Sequence, residues 1–383
     1  MNASRSVILR GMTRDDVDAG LRLCRLSHWN QLARDWEQFL RLTPDGATVA
    51  TDEAGVVIGS VATVRYAAAH RETETMTGRD SDARHDRDGD ARLGRRQSDE
   101  RLDRNDDDVA VELARRFSHP VPAIQDPATV TPHPIPGADD QNLGLRHLEP
   151  GTRHPVPASM AWIAMVLVDP AHRGSGIGTA LLRRGLAHVA DVTTVGLDAT
   201  PLGRPLYEAL GFRADTTLTR MRREPAPVKP VRASERNPLS RVRRATSADH
   251  DAIALLDGQA SGLDRGAMLA WLHGGAPELA WVYDGAGGIE GAVLGRPGYA
   301  AIHLGPVIAP TANVAAGLVR AVLSTHGQDA VMVDVADDRA EWRQAVEALG
   351  FQAQRPFTRM YRGQWRPPAD LTRLFAIIGP EFG

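Results

Sequence analysis

The sequence predicts an α/β protein in which a mixed sheet with helices on both faces is built twice along the chain. Three observations predict it. Glu208-Ala209-Leu210-Gly211-Phe212 returns as Glu347-Ala348-Leu349-Gly350-Phe351, and Thr219-Arg220-Met221 returns as Thr358-Arg359-Met360, at one shared offset of 139 (347 − 208 and 358 − 219). Upstream, Arg10, Thr13, Asp16, Asp18 and Ala19 return as Arg243, Thr246, Asp249, Asp251 and Ala252 at an offset of 233 (243 − 10), so the first copy is longer by 94 residues (233 − 139). Within the first copy, segments of strand and helix periodicity alternate.

Taken in order, Val7–Arg10 alternates as a short strand, and Thr13 is placed to cap a helix reaching about Leu26. Asn30 is placed to cap a second helix carrying Leu32, Trp36, Phe39 and Leu40. Ala47–Thr51 and Val56–Tyr66 read as strands joined at Ala54-Gly55. Met160–Val168 is a continuous apolar run, as a central strand requires. Ile177–Ala190 reads as a helix, Thr193–Leu197 as a strand, Leu206–Leu210 as a short helix ended by Gly211, and Leu218–Met221 as the closing strand. Between these elements, residues 67–157 lose periodicity: Arg79–Asp108 is nearly all Asp, Arg, Gly and Ser, and prolines crowd 120–136 and 150–157. Such a stretch buries too little apolar surface to offset its ordering entropy, so it is expected to be a disordered insertion, with at most a marginal helix at Val109–Phe117. The expected organisation is a first domain at 1–223, a linker at 224–240, a second domain at 241–363 and a tail at 364–383.

The balance of charge excludes some partners. With a formal charge of -3 and a pI near 6.5, nothing draws the chain to nucleic acid or an anionic membrane. One cysteine, Cys24, rules out an intramolecular disulfide or a multi-thiolate metal site, and no metal is expected. No apolar run suits a signal peptide or a membrane span, so a cytoplasmic location is expected.

The chemistry concentrates in one loop. After the strand Met165-Val166-Leu167-Val168 come Asp169-Pro170-Ala171-His172 and then Arg173-Gly174-Ser175-Gly176-Ile177-Gly178-Thr179, which opens a helix. Unpaired backbone N–H groups and the helix dipole favour an anion there, and small residues let a phosphate come close. Thr179 stands where a mononucleotide loop needs lysine. Asp198 lies where a dinucleotide fold has its ribose-binding acid, but the glycines are spaced G-x-G-x-G, not G-x-G-x-x-G. The third candidate is the pyrophosphate of coenzyme A.

A strand, then Val-Asp-Pro-x-His-Arg-Gly-x-Gly-Ile-Gly, then a helix, resembles the acyl-CoA-binding motif of the GNAT superfamily of N-acetyltransferases; Arg173-x-x-Gly176-x-Gly178 matches its R/Q-x-x-G-x-G/A core. Leu206-Tyr207-Glu208-Ala209-Leu210-Gly211-Phe212 resembles the family's L-Y-E-x-L-G-F segment. The whole is similar to two-domain GNAT proteins with an active first copy and a divergent second. The resemblance implies an enzyme that moves an acetyl group from acetyl-CoA to a primary amine of a small molecule or peptide by direct attack. It implies that amides from Gly174, Ser175, Gly176, Ile177, Gly178 and Thr179, with Arg173, hold the pyrophosphate. Met165, Val166, Leu167 and Val168 would pair with the pantetheine arm, and a backbone N–H near Met165 or Val166 would face the oxyanion. Tyr207 would protonate the leaving thiolate. The turn His28-Trp29-Asn30 falls where related enzymes contact the acceptor, and Asp198 is a further acceptor-side candidate. Thr200 stands where the family usually has Asn, and Asp198, Glu208, His28 and a water relay are all open as the base. A non-catalytic acyl-CoA sensor is the alternative.

The second copy has Ile308-Ala309-Pro310 followed by Thr311-Ala312-Asn313-Val314-Ala315-Ala316-Gly317, without the arginine or the glycine rhythm, and Val346 stands in the tyrosine position (207 + 139). It is expected to keep the fold and lose catalysis.

Overall fold

The computed structural model describes residues 7–69, 124–125, 160–227, 240–364 and 370–383. The expected insertion and the helix at Val109–Phe117 lie outside the described residues apart from 67–69 and 124–125, as does most of the linker. The first half comprises β1 (Val7–Gly11), α1 (Val17–Leu26), α2 (Ala33–Leu42), β2 (Ala47–Thr51), β3 (Val57–Ala68), a two-residue β4 (Ile124–Gln125), β5 (Met160–Val168), α3 (Ile177–His188), β6 (Thr194–Ala199), α4 (Arg204–Ala209) and β7 (Arg213–Arg223). The second runs β8 (Val242–Arg244), α5 (His250–Ser261), β9 (Leu263–Asp264), α6 (Gly266–Gly275), β10 (Trp281–Asp284), β11 (Ile289–Arg296), β12 (Ile302–Ile308), α7 (Ala312–His326), β13 (Val331–Ala336), α8 (Ala340–Ala348), β14 (Gln352–Gly363) and β15 (Leu374–Ala376). The mixed α/β sheet with helices on both faces is present in both halves.

The upstream repeat has a structural cause. The Arg10 guanidinium grips Asp16 through both terminal nitrogens at 2.7 Å, while Asp16 accepts the Thr13 N–H at 2.9 Å to start the first helical segment. Arg243, Asp249 and Thr246 repeat the device at 2.8 and 2.7 Å. The Arg10 hydrogen bond holds the Asp16 carboxyl down at about 2. The second helix begins differently from expectation. Its capping carboxylate is Asp35, which accepts the Leu32 N–H at 2.7 Å; Asn30 lies outside the helix.

The strands form one continuous sheet, ordered β4-β1-β2-β3-β5-β6-β14-β7-β13-β12-β11-β10-β8. The last strand of each half is exchanged. β14 pairs antiparallel with β6 (Thr358 opposite Ala199, Gly363 opposite Thr194), and β7 pairs with β13 (Leu218 opposite Ala336, Arg223 opposite Val331). β7 and β14 then pair with each other along most of their length. The closing strand expected at Leu218–Met221 therefore exists but closes the other half.

Reciprocal ion pairs lock the exchange. Arg359 of β14 forks onto Asp198 of β6 at 2.8 and 2.9 Å, and Arg220 of β7 forks onto Asp334 of β13 at 2.7 and 2.8 Å. Both carboxylates are fully buried. Charges taken out of water this completely persist only when paired and hydrogen-bonded.

One face of the first half packs Ile58, Val61, Ile163, Leu181, Leu197 and Phe212 against α3 and α4. The other packs Trp36, Phe39, Met160, Trp162, Met165 and Leu167 against α1 and α2. Strand alternation puts Met160, Trp162 and Ala164 on this second face; Met165 and Leu167 join them only because the pleat slips by one residue at 165. Gly196 is fixed by that packing, since a Cβ there would lie 2.4 Å from the Trp162 ring.

Candidate active site

The slip in β5 comes first. Ser60 lies opposite Leu167 and Ala62 opposite Ala164, so Met165 and Val166 bulge out of the ladder. Met165 takes φ 55°, in the left-handed region that a side chain disfavours, and its carbonyl is held by the Ser60 hydroxyl at 2.8 Å. By this point β5 has already left its parallel neighbour. The two pair at Ala161 with Val195 and Trp162 with Gly196, and no further pair joins residues 163–168 to 197–199.

The loop stands at the end of β5. Asp169 ties its entrance, accepting the Ala171 N–H at 3.0 Å and pairing with Arg22 at 2.6 Å; the Arg22 hydrogen bond keeps its carboxyl below the usual range. Arg173 is exposed and donates through Nε to the Val168 carbonyl at 3.1 Å, which leaves its terminal nitrogens free of that bond. Ser175 hydrogen-bonds the His172 carbonyl at 2.6 Å. Gly174 and Gly176 adopt φ 75° and 83°, which turn the chain into α3. No side chain caps α3. Its first amides, with the dipole behind them, are thus offered outward.

Tyr207 is brought near by α4, whose Leu206 side chain lies over Gly178: a Cβ there would be 3.5 Å from it. The tyrosine is buried, its ring edge-on to Phe212 at 6.1 Å between centroids. A Cβ on Gly203 would lie 3.4 Å from its hydroxyl oxygen and 3.5 Å from the Thr200 hydroxyl, so both hydroxyls adjoin Gly203. Desolvation pushes the phenol well above its ordinary pKa, so it stays protonated and can donate.

The acceptor-side candidates divide. Asn30 is occupied: its amide oxygen accepts the N–H groups of Ala300 and Ala301 at 2.8 and 3.1 Å, and its Nδ2 donates to the Ala301 carbonyl at 2.9 Å. These bonds clamp it to the second half. Asp198 is held through both oxygens by Arg359, whose guanidinium also lies over the Trp162 ring at 4.8 Å. Glu208 is exposed and paired with Arg204 at 2.7 Å. His28, at φ 56°, is exposed after α1, with Trp29 half-buried beside it. Among the described residues, no group of acids, histidines and cysteines could hold a metal.

The same place in the second half is closed twice over. α7 starts without a glycine loop, and the Thr311 hydroxyl caps it by accepting the Val314 N–H at 3.3 Å. β12 and β13 pair over Ile302–Leu304 and then part, but the gap is filled from within. β15 pairs with β12 (Val307 opposite Ala376, Ile308 opposite Leu374), and the Ile377 N–H reaches the Asp334 carbonyl on β13 at 3.2 Å. The fit is tight enough that a Cβ on Gly305 would sit 1.8 Å from the Ile377 carbonyl. Val346, where the tyrosine would be, is wholly buried core.

From this plug the chain runs to the first half. Pro380 accepts the Trp162 indole N–H at 2.8 Å, Phe382 stacks on Phe39 at 4.8 Å, and its carbonyl accepts the Tyr66 hydroxyl at 2.8 Å. On the way Glu381 meets Arg296 inside a buried group containing Asp35, His303 and Asp334. No sequence signal announced this tail beyond its apolar run at Phe375–Ile378.

Comparison with known proteins agrees with the geometry. Residues 138–214 and 253–376 each match a family described as an acetyltransferase (GNAT) domain. The chain belongs to the GNAT acetyltransferases, with two copies in tandem. It is 24% identical over 222 residues to a Bacillus subtilis (strain 168) protein named Uncharacterized N-acetyltransferase YitH, covering 58% of this chain and 76% of that one. In fold it is similar to a candidate acetyltransferase of Pyrococcus horikoshii (TM-score 0.61, 16% identity, 98% of this chain and 96% of that one). It is also similar to a tandem GNAT protein from the clavulanic acid biosynthesis pathway (TM-score 0.50, 14% identity, 93% and 98%). Acyl transfer in general follows from the family.

Proposed function

We propose that the first half is an N-acetyltransferase that moves the acetyl group of acetyl-CoA to a primary amine of a small molecule or peptide by direct attack. The observation that carries this reading is the contrast between the two clefts. In the first, β5 bulges and parts from β6 beside a glycine loop and an uncapped helix; in the second, a threonine caps the helix and β15 fills the gap. The residues of the first cleft fit coenzyme A. A Cβ at Gly174 would meet nothing within 4 Å, so the loop's outer side has room for a pyrophosphate, and the β5 residues past Trp162 have no partner on the β6 side. Bound there, acetyl-CoA would supply a thioester whose carbonyl carbon is electrophilic.

The protein's own groups then have defined work. Gly174 to Thr179 bind the diphosphate through amides, with Arg173 adding charge. The amides of Met165 and Val166, in the bulge, steady the negative charge that develops on the carbonyl oxygen. Tyr207 delivers its proton to the departing sulfur. With Asp198 locked and Glu208 paired in solvent, the amine's proton leaves through water or His28.

Free-thiol release with a panel of amines tests this directly. Turnover with at least one primary amine is expected, and Arg173→Ala combined with Gly176→Glu should abolish acetyl-CoA binding measured by calorimetry. Undiminished binding in that double variant refutes the site; binding without thiol release from any amine refutes the reaction. Purified protein is expected to act without added metal or nucleic acid. No described helix is long and apolar enough to cross a membrane.

A further inference from the structure

Groups of the second half close in on the point where β5 and β6 part. The β5–β6 ladder ends at Trp162 opposite Gly196. The indole is buried and lies over that last pair: a Cβ on Gly196 would be 2.4 Å from the ring and 2.7 Å from the Met160 methyl. A glycine at 196 thus lets a large ring close the end of the ladder. Four residues of the second half grip the ring. The Pro380 carbonyl accepts its N–H at 2.8 Å, and the Arg359 guanidinium lies 4.8 Å from its centroid. Tyr361 meets it edge-on at 6.3 Å, and a Cβ on Gly383 would be 3.1 Å from it. A hydrogen bond, a cation and an aromatic edge together fix the orientation of the indole.

In the reading above, the diphosphate lies at 174–179 and the thioester carbonyl at the Met165–Val166 bulge. The donor therefore runs along β5 toward lower residue numbers. Its sulfur comes before the carbonyl, and its acyl carbons come after it, facing Trp162. Only Ile163 and Ala164 separate Trp162 from the bulge. Three strand steps cover about 10 Å. The hydrogen bond at the carbonyl takes about 3 Å of that length and van der Waals contact with the ring about 4 Å, which leaves length for one or two carbons past the carbonyl.

Resting on the acetyl-CoA reading, we propose that the Trp162 indole is the end wall of the acyl pocket and restricts the donor's acyl group to at most three carbons. Trp162 is then the residue that selects the donor, and the second half supplies the groups that fix it in place.

The test measures thiol release from acetyl-, propionyl-, butyryl- and hexanoyl-CoA, using the primary amine that turns over best with acetyl-CoA. A methylene that a closed apolar pocket does not admit costs about 10- to 200-fold, so wild-type kcat/KM should fall by about tenfold or more at butyryl-CoA. Trp162→Leu should raise the butyryl-to-acetyl ratio by about tenfold or more, and the milder Trp162→Phe by a smaller factor. Calorimetric binding of coenzyme A without an acyl group is the check that each variant is folded. If the leucine variant fails that check, the phenylalanine variant decides. Wild-type kcat/KM for butyryl-CoA within about threefold of that for acetyl-CoA, or an unchanged ratio in the folded variant, overturns the proposal and makes Trp162 a core residue only. Either result leaves acyl transfer standing. No thiol release from any of the four donors overturns both readings.

Discussion

Replacing Arg359 with methionine probes the exchange at its tightest point. The Asp198 carboxylate is fully buried, both of its oxygens are taken by Arg359, and the guanidinium fills the space over the Trp162 indole. Methionine keeps most of the volume and removes the charge. An uncompensated buried carboxylate then remains, and removing one partner of such a pair costs about 3–5 kcal/mol. The double variant Arg359→Met, Asp198→Leu takes out both charges and should recover most of that loss, giving a coupling of at least about 2 kcal/mol in a double-mutant cycle. Urea unfolding, followed by far-ultraviolet circular dichroism and tryptophan fluorescence, measures all four proteins. Because Arg359 belongs to the second half and Asp198 to the first, both probes should report one coincident transition in the wild type. A loss under about 1 kcal/mol in the single variant, the range of exposed pairs, would refute the reasoning, as would strict additivity.

Three further outcomes are expected. Tyr207→Phe should lower kcat by about 100-fold or more while leaving the calorimetric affinity for acetyl-CoA unchanged, and the wild-type rate should hold through pH 10 because the buried phenol is still protonated there. An equal rate in the variant removes the tyrosine from the chemistry. Gly305→Val drives a side chain into the Ile377 carbonyl and should cost about 1–3 kcal/mol, with hydrogen exchange accelerated at 374–378; unchanged protection there would mean the plug does not depend on this contact. His303, buried between Arg296 and Asp334, is drawn down to about 4 by burial, so the folded state resists a proton that the unfolded chain takes up near 6.5. Stability should therefore be full above about pH 6.5 and fall toward pH 4, by at most about 1.4 kcal/mol per pH unit from this group. His303→Gln should flatten that slope, and an identical slope would assign it to other groups.

What was legible in the sequence was what local geometry decides. A glycine that must turn left-handed before a helix leaves its mark in the sequence, and so does a threonine-to-aspartate cap, which is why the loop at 173–179 and the paired helix starts could be found. Long-range pairing leaves no such mark. Leu218–Met221 reads as a strand whichever neighbour it takes, and nothing near Asp198 in sequence names Arg359 as its partner, 161 positions away. Asn30 and Asp35 show the same limit at short range. Asn30 is a plausible cap before the helix, but the backbone groups of Ala300 and Ala301 claim it, and Asp35, inside the first turn, closes the helix start instead. The tail was opaque because its apolar residues answer to a gap that exists only after β12 and β13 have parted.

The swapped strands also bear on how this protein can be cut, shortened or recombined. A fragment stopped after Arg223 would present β6 as a bare edge, with Asp198 stripped of its cation, and would carry β7 with no β13 to receive it. Such a piece invites self-association more than activity. A working miniature would instead have to follow space, grafting residues 352–363 back beside β6, and chimaeras between relatives should inherit β7 and β14 as a matched set.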